Sequence, residues 1–128
     1  MKVFLLVIQG ILILVMGLFG FQKVFMAIPD LIEQGMLWIE DFPVWQVRTI
    51  GILEVLGALG LIFPYVFKSL PKIIVPIASG GLALTMVGAV ITHISRGDVI
   101  MSIIITSILF LMAVMVAVFR YKQYKSES

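Results

Sequence analysis

The sequence predicts an all-α integral membrane protein, a four-helix bundle with both termini in the cytoplasm. The first observation behind this prediction is composition: 62% of the 128 residues are apolar and 12% are charged. Soluble domains have roughly 45–50% apolar and 25% charged residues. The second observation is that the apolar residues fall in four long runs. Since a soluble domain this small could not bury so much apolar surface, the excess is expected to face lipid.

The four runs have the length that a membrane-spanning helix needs. They cover about residues 3–21, 49–67, 73–94 and 99–119. An α-helix rises about 1.5 Å per residue, so about 20 residues cross the ~30 Å hydrocarbon layer. Backbone groups in lipid must be hydrogen-bonded within their own segment, which makes each span a helix. Residues 1–128 are therefore predicted to form one four-span membrane domain.

The long connection between the first two spans, about residues 24–44, has a helix-like pattern after Pro29. A short interfacial helix with Trp38 and Trp45 at headgroup depth fits this composition. A plain surface loop is the alternative, and the pattern does not separate the two.

The other connections carry helix-boundary residues. Pro64 is expected to end or kink the second helix, so that residues 64–67 form an irregular last turn. Ser69 and the following Pro71 are typical of a helix start, here that of the third span. Gly97 suits the end of that helix and Asp98 could cap the fourth.

The positions of lysine and arginine predict the orientation. If the N-terminus is cytoplasmic, the opposite side has only Lys23, Arg48 and Arg96. The cytoplasmic side then has six basic residues, namely Lys2, Lys68, Lys72, Arg120, Lys122 and Lys125. This distribution satisfies the positive-inside rule. The expected location is the cytoplasmic (inner) membrane of a bacterium, with the lipid bilayer as the first partner.

Four ionisable residues are predicted to converge in the outer half of the bundle, namely Lys23, Arg48, Glu54 and His93. Glu54 is the most informative because a carboxylate at this depth is costly unless it is paired or protonated. Small residues three before it and four after it, Gly51 and Ala58, would let another helix approach its face.

The pattern leaves the partner and the role of Glu54 open. Lys23 or His93 on a neighbouring helix is at least as good a partner as Arg48, which lies on a different face. The group is interpreted either as a ligand- or proton-binding site or as a structural ion pair that fixes helix register. His93 could exchange protons or simply bond to its neighbours. Arg96 is expected to snorkel to the headgroups.

Several kinds of chemistry find no support in the sequence. There is no cysteine, and one histidine with one deep carboxylate lacks the further ligands that a metal site needs, so no metal is expected. No nucleotide loop or catalytic triad is present, so no catalytic residue is assigned and enzyme activity stays open. The basic C-terminal segment is interpreted as a topology anchor that includes Arg120, and no nucleic-acid partner is expected.

Two further patterns predict helix packing. A small-residue stripe on the third span suits a close helix contact, and it consists of Gly81, Thr85, Gly88 and Thr92. Gln9 shares a face of the first span with Met16 and Lys23. It is expected in the bundle interior, where it would bond to another helix far from the outer polar group.

Two stretches resemble the DoxX-like family. Residues 42–60, FPVWQVRTIGILEVLGALG, look like its signature stretch, and residues 87–98, VGAVITHISRGD, resemble its second characteristic stretch. Lys23 at the end of the first span also fits. The resemblance extends over nearly the whole chain and implies a small four-helix membrane protein. It places Arg48, Glu54 and His93 on the family's polar positions without fixing their roles.

The resemblance favours a redox-associated membrane subunit with a polar pocket for a quinone-like or other small ligand. No intrinsic cofactor is expected, and a quinone is the candidate bound molecule. The alternative is a structural or chaperone-like assembly module in which the polar group fixes helix register. Its partner would be another membrane protein or a second copy in a homo-oligomer. A carrier is disfavoured because four spans are few for a monomeric transporter and no broken-helix repeat is evident.

Overall fold

The computed structural model describes residues 2–127 as a set of helices, with no strand in that range. Their order is α1 (Lys2–Phe25), α2 (Ile28–Glu33), a 3-10 helix (Leu37–Asp41), α3 (Val44–Val66), α4 (Ile74–Arg96) and α5 (Ile100–Glu127). Helices α1, α3, α4 and α5 are long and apolar enough to cross a membrane. The all-α class and the four spans are confirmed. The helices extend beyond the predicted spans because they continue through polar residues at their ends.

The long helices pack in chain order, α1 on α3, α3 on α4 and α4 on α5, with a smaller contact between α5 and α1. We call the end of the bundle with residues 26–43 and 97–99 the outer end. The end with residues 67–73 is the inner end. These names distinguish the two ends of the bundle and assign neither to a side of the membrane.

The apolar core lies in the inner half and the middle of the bundle. Its buried residues are Leu5, Ile8, Leu12, Met16, Ala58, Leu61, Val75, Leu82, Ala83, Met86, Ala113 and Val116. Large apolar side chains on the opposite faces are exposed, for example Leu14 at 73% and Leu84 at 75%. Such faces are stable against lipid tails, which are as apolar as the side chains themselves.

Glycines set the closest helix contacts. A methyl group added at Gly51 of α3 would lie 2.7 Å from the Lys23 Cβ and 2.8 Å from the Gly20 carbonyl oxygen of α1. The expectation that Gly51 lets a helix approach is therefore confirmed. A methyl group at Gly57 would lie 2.5 Å from Leu82 of α4. A Cβ at Gly51 would press against the main chain of α1, and one at Gly57 would have to displace the Leu82 side chain, so glycine favours the close approach of both helix pairs.

Gln9 bridges helices in the interior, as its position predicted. It is 4% exposed, and its side-chain amide donates to the Leu61 carbonyl of α3 over 2.9 Å. Its Oε1 accepts a hydrogen bond of 2.8 Å from Arg120 Nε on α5. One amide thus joins three helices near the inner end.

Pro64 does not end helix α3, which continues to Val66. The expected irregular turn over residues 64–67 is wrong. A proline removes the hydrogen bond to the carbonyl four residues earlier, here that of Gly60, and its ring crowds that carbonyl. So close to the helix end this loss is tolerated, and the Phe67 amide still bonds to the Phe63 carbonyl over 2.7 Å.

The ends of α4 differ in how well the sequence predicted them. The helix begins at Ile74 without a side-chain cap, so the predicted cap at Ser69 is wrong. Gly97 does end it, in the left-handed conformation with φ 71°. The Gly97 and Asp98 amides bond back to Ile94 and His93, as in the Schellman ending of many helices.

The outer connection is folded around its own small apolar cluster. Leu31, Ile39 and Val47 are buried there, and the chain between α1 and α3 forms α2 and the 3-10 helix. Of the two alternatives that the sequence left open for this connection, the structure has the short helix and not the plain loop. Trp45 is 65% exposed, whereas Trp38 packs edge-on against Phe42.

Candidate functional site

A cavity of about 520 Å³ lies in the outer half of the bundle. All four long helices contribute to its walls, and the connection contributes Gly35, Met36, Trp38 and Phe42. Most of the lining is apolar, including Phe19 from α1. Pockets of this size and character are typical of small-molecule sites, in which a few polar groups orient the ligand.

Lys23 and Glu54 form an ion pair on the cavity wall. The Lys23 Nζ lies 2.5 Å from the Glu54 Oε1, and the two side chains are 11% and 2% exposed. The ammonium also lies 5.5 Å from the centre of the Trp38 ring, a favourable cation–π distance. Of the possible partners for Glu54, the structure selects Lys23 on the neighbouring helix.

Arg48 does not pair with Glu54 and is not part of the cavity lining. Its Nη1 donates to two main-chain carbonyls, that of Lys23 over 2.8 Å and that of Met26 over 2.6 Å. Carbonyls at a helix C-terminus lack helical donors and favour a nearby cation. Arg48 therefore fixes the end of α1, and through it the main chain that carries Lys23.

His93 lines the same cavity from α4. Its Nδ1 lies 2.7 Å from Asp98 Oδ2, which fixes the ring from outside the cavity. The hydrogen bond from His93, and then the contact with Arg96, holds the pKa of Asp98 below its ordinary value. Asp98 is thus an ionised acceptor near neutral pH, and His93 Nδ1 is the donor. Among residues 2–127, no hydrogen bond joins His93 to Glu54.

Arg96 is held by acidic residues. Its guanidinium pairs with Asp98 and with Asp41 of the 3-10 helix. The sequence had indicated no partner for Arg96, and its expected position among the headgroups stays a prediction. Asp41 lies in the connection between α1 and α3, and the contact exists because this connection folds back over the end of α4.

Three of the four residues of the small-residue stripe of α4 line the cavity, and the stripe does not pack against a helix. Thr85, Gly88 and Thr92 lie on the cavity wall, and a methyl group added at Gly81 or Gly88 would meet no heavy atom within 4 Å. The prediction of close packing is wrong here. The two threonine hydroxyls donate to the carbonyls four residues earlier on the same helix, which leaves oxygen lone pairs for an incoming donor.

The contribution of α5 to the site was not predicted from the sequence. Ser102 and Thr106 both line the cavity. The available signal was their polarity within an otherwise apolar span, but it did not reveal which way they face. Within residues 2–127, no three His, Asp or Glu side chains are grouped as a metal site would require.

The fold and this cavity define a class: a small four-helix membrane protein with a partly polar cavity between its helices. The chain belongs to the DoxX-like family, whose model matches residues 7–117. The resemblance predicted from residues 42–60 and 87–98 is thereby confirmed. Neither the curated proteins nor the solved structures give a match to the chain.

Proposed function

We propose that the outer cavity binds a quinone-like molecule and that the protein is a redox-associated membrane subunit. The observation that carries the proposal is the convergence of Lys23, Glu54 and His93 on one otherwise apolar cavity of about 520 Å³. A quinone has the same division, with an apolar ring and tail and two oxygens that accept hydrogen bonds.

The polar groups suit both the oxygens and the protons of such a ligand. An ammonium has three donors, and only one of those of Lys23 is needed for Glu54, so another can reach a carbonyl oxygen. Asp98 occupies the Nδ1 side of His93 and leaves Nε2, the acceptor nitrogen of the neutral ring, for a hydroxyl of the reduced ligand. Reduction of a quinone to a hydroquinone takes two electrons and two protons. His93 and Glu54 would exchange the protons, while a partner oxidoreductase would exchange the electrons.

The second candidate is a structural or chaperone-like assembly module, and one observation favours it. The ion pair lies directly at the closest crossing of α1 and α3, where a methyl group at Gly20 would be 2.9 Å from the Glu54 Cβ. A charge pair at this point would fix the register of the two helices. The protein would then present its outer surface to another membrane protein or to a second copy.

A cavity-filling substitution separates these functions without touching the ion pair. In Gly88→Leu the new side chain enters the cavity, and its Cβ meets no heavy atom within 4 Å. Gly81→Leu is the matched control, since it lies seven residues earlier on α4, is equally uncrowded and is absent from the lining. Both proteins should fold, because leucine favours a helix more than glycine does.

The measurement is mass spectrometry of lipid extracts from protein purified in mild detergent. We expect a quinone to co-purify with the wild type and the Gly81→Leu protein and to be lost from the Gly88→Leu protein. His93→Ala, a second variant outside the helix crossing, should also lose it. Equal or absent quinone in all four samples would refute the proposal, and loss of a co-purifying protein in Glu54→Gln alone would favour the assembly function.

A further inference from the structure

A second, smaller cavity of about 150 Å³ lies at the inner end, remote from the outer cavity. Arg120 of α5 lines it and is only 9% exposed. The Nη2 of this guanidinium is buried and has no hydrogen-bond partner. A buried donor without a partner is costly, so this nitrogen needs an acceptor that the described residues do not supply.

The rest of the Arg120 side chain is held in place. Its Nε donates to Gln9 over 2.8 Å and its Nη1 donates to Gln123 over 2.7 Å. The guanidinium carbon lies 5.6 Å from the centre of the Tyr65 ring. These contacts are all with neutral groups, and within residues 2–127 Arg120 forms no ion pair. The guanidinium is therefore positioned but not neutralised.

A second cation lies at the same cavity. Lys72, from the connection between α3 and α4, also lines it, and its Nζ is 5.2 Å from the centre of the same Tyr65 ring. Glu127 is the one carboxylate among the described lining residues, and it forms an ion pair with neither cation. The two cations, Lys72 and Arg120, thus lie against the same Tyr65 ring and line the same small cavity. The Nη2 of Arg120 is a donor there without a hydrogen-bond partner.

We propose that Arg120 and Lys72 bind a phosphate group at the inner end of the bundle. Arginine presents fixed donors that match the oxygens of a phosphate, and lysine adds a point charge. Basic pockets between membrane helices bind phospholipid headgroups in this way. The phosphate belongs either to an anionic phospholipid or to a free phosphate ion, and the two sources share the same chemistry.

The test is native mass spectrometry of the full chain in neutral detergent, titrated with phosphatidylglycerol. Lys72→Gln is the main variant, because Lys72 is exposed and its loss leaves the core intact. Lys68→Gln is the matched control, since it removes one exposed charge at the same end and is not in the lining. We expect the dissociation constant to rise about tenfold for Lys72→Gln, the loss of one charge-assisted contact, and to stay within about twofold for Lys68→Gln.

Two further arms identify the source and use the buried arginine. Competition by inorganic phosphate at millimolar concentration would indicate a free ion, and its absence would indicate a lipid headgroup. Arg120→Gln should abolish binding, while Glu127→Gln should strengthen it by removing the opposing charge. Equal affinities for the Lys72→Gln and Lys68→Gln proteins, or no adduct with phosphatidylglycerol or phosphate on the wild type, would overturn the proposal.

Discussion

The inner and outer halves of the bundle are stabilised in different ways. The inner half has the apolar core, and its polar contact is the neutral bridge from Gln9 to Leu61 and Arg120. In the outer half, α4 and α5 contain no buried residue beyond Met86 towards that end or before Ala113. There α1 and α3 stay in contact through Gly20 and Gly51, while a cavity separates them from the other helix pair.

The comparison shows how a small membrane bundle can contain a cavity without losing its fold. Side-chain packing in lipid gains little from the hydrophobic effect, so close contacts and internal polar bonds hold the helices together. The inner half supplies packing for all four long helices. The outer half can therefore contain a cavity. Its ion pairs and the folded connection together hold the cavity walls in place.

The largest expected effect comes from breaking the buried ion pair between Lys23 and Glu54. Glu54→Gln leaves the Lys23 ammonium nearly buried without its partner, which should cost about 3–5 kcal/mol of unfolding free energy. The measurement is unfolding by sodium dodecyl sulfate in mixed micelles, followed by helix circular dichroism. Lys23→Met combined with Glu54→Met should recover much of the loss, because no buried charge remains. A Glu54→Gln protein as stable as the wild type would show that Lys23 has other compensation.

A smaller effect is expected at the closest contact between α1 and α3. Gly51→Ala places a methyl group 2.7 Å from the Lys23 Cβ, and this overpacking should cost about 1–3 kcal/mol. Gly81→Ala is the control, since nothing lies within 4 Å of its new methyl group. That variant should be neutral or more stable by up to about 1 kcal/mol. The same micelle titration measures both, and equal stabilities would contradict the close α1–α3 approach.

The smallest effect concerns the turn between α4 and α5. Asp98 is bonded to His93 and Arg96, which lowers its pKa. A carboxylate with a lowered pKa stabilises the fold above its ordinary pKa, and this contribution disappears as the pH falls through the lowered value. The Asp98→Asn protein should therefore be slightly less stable than the wild type near pH 7. The difference should vanish in strong acid, and thermal unfolding at a series of pH values would show whether it does.

The sequence predicted more of the fold than of the site. The four spans, the Gly97 helix end and the interior place of Gln9 follow from local pattern, whereas the pattern of the outer connection left a short helix and a plain loop equally open. Helix ends were less secure, because Ser69 and Pro64 have strong preferences that the neighbouring turns overrule. Of the four predicted site residues, Lys23, Glu54 and His93 do line one cavity, whereas Arg48 binds main-chain carbonyls outside it. Whether these residues bind a ligand stays a prediction.

The sequence by itself determined that this chain crosses a membrane as four helices, since apolar run length alone sets that outcome in lipid. The sequence also placed the four predicted site residues at the outer end of the bundle, because the depth of each residue follows from its position along its span. Only the tertiary structure decided which of them meet. Three features depend on the rotation and spacing of whole helices. They are the pairing of Glu54 with Lys23, the open space beside Gly81 and Gly88, and the Arg120 nitrogen that has no hydrogen-bond partner. Helix rotation and spacing come from contacts between residues far apart in the chain, which no local pattern specifies.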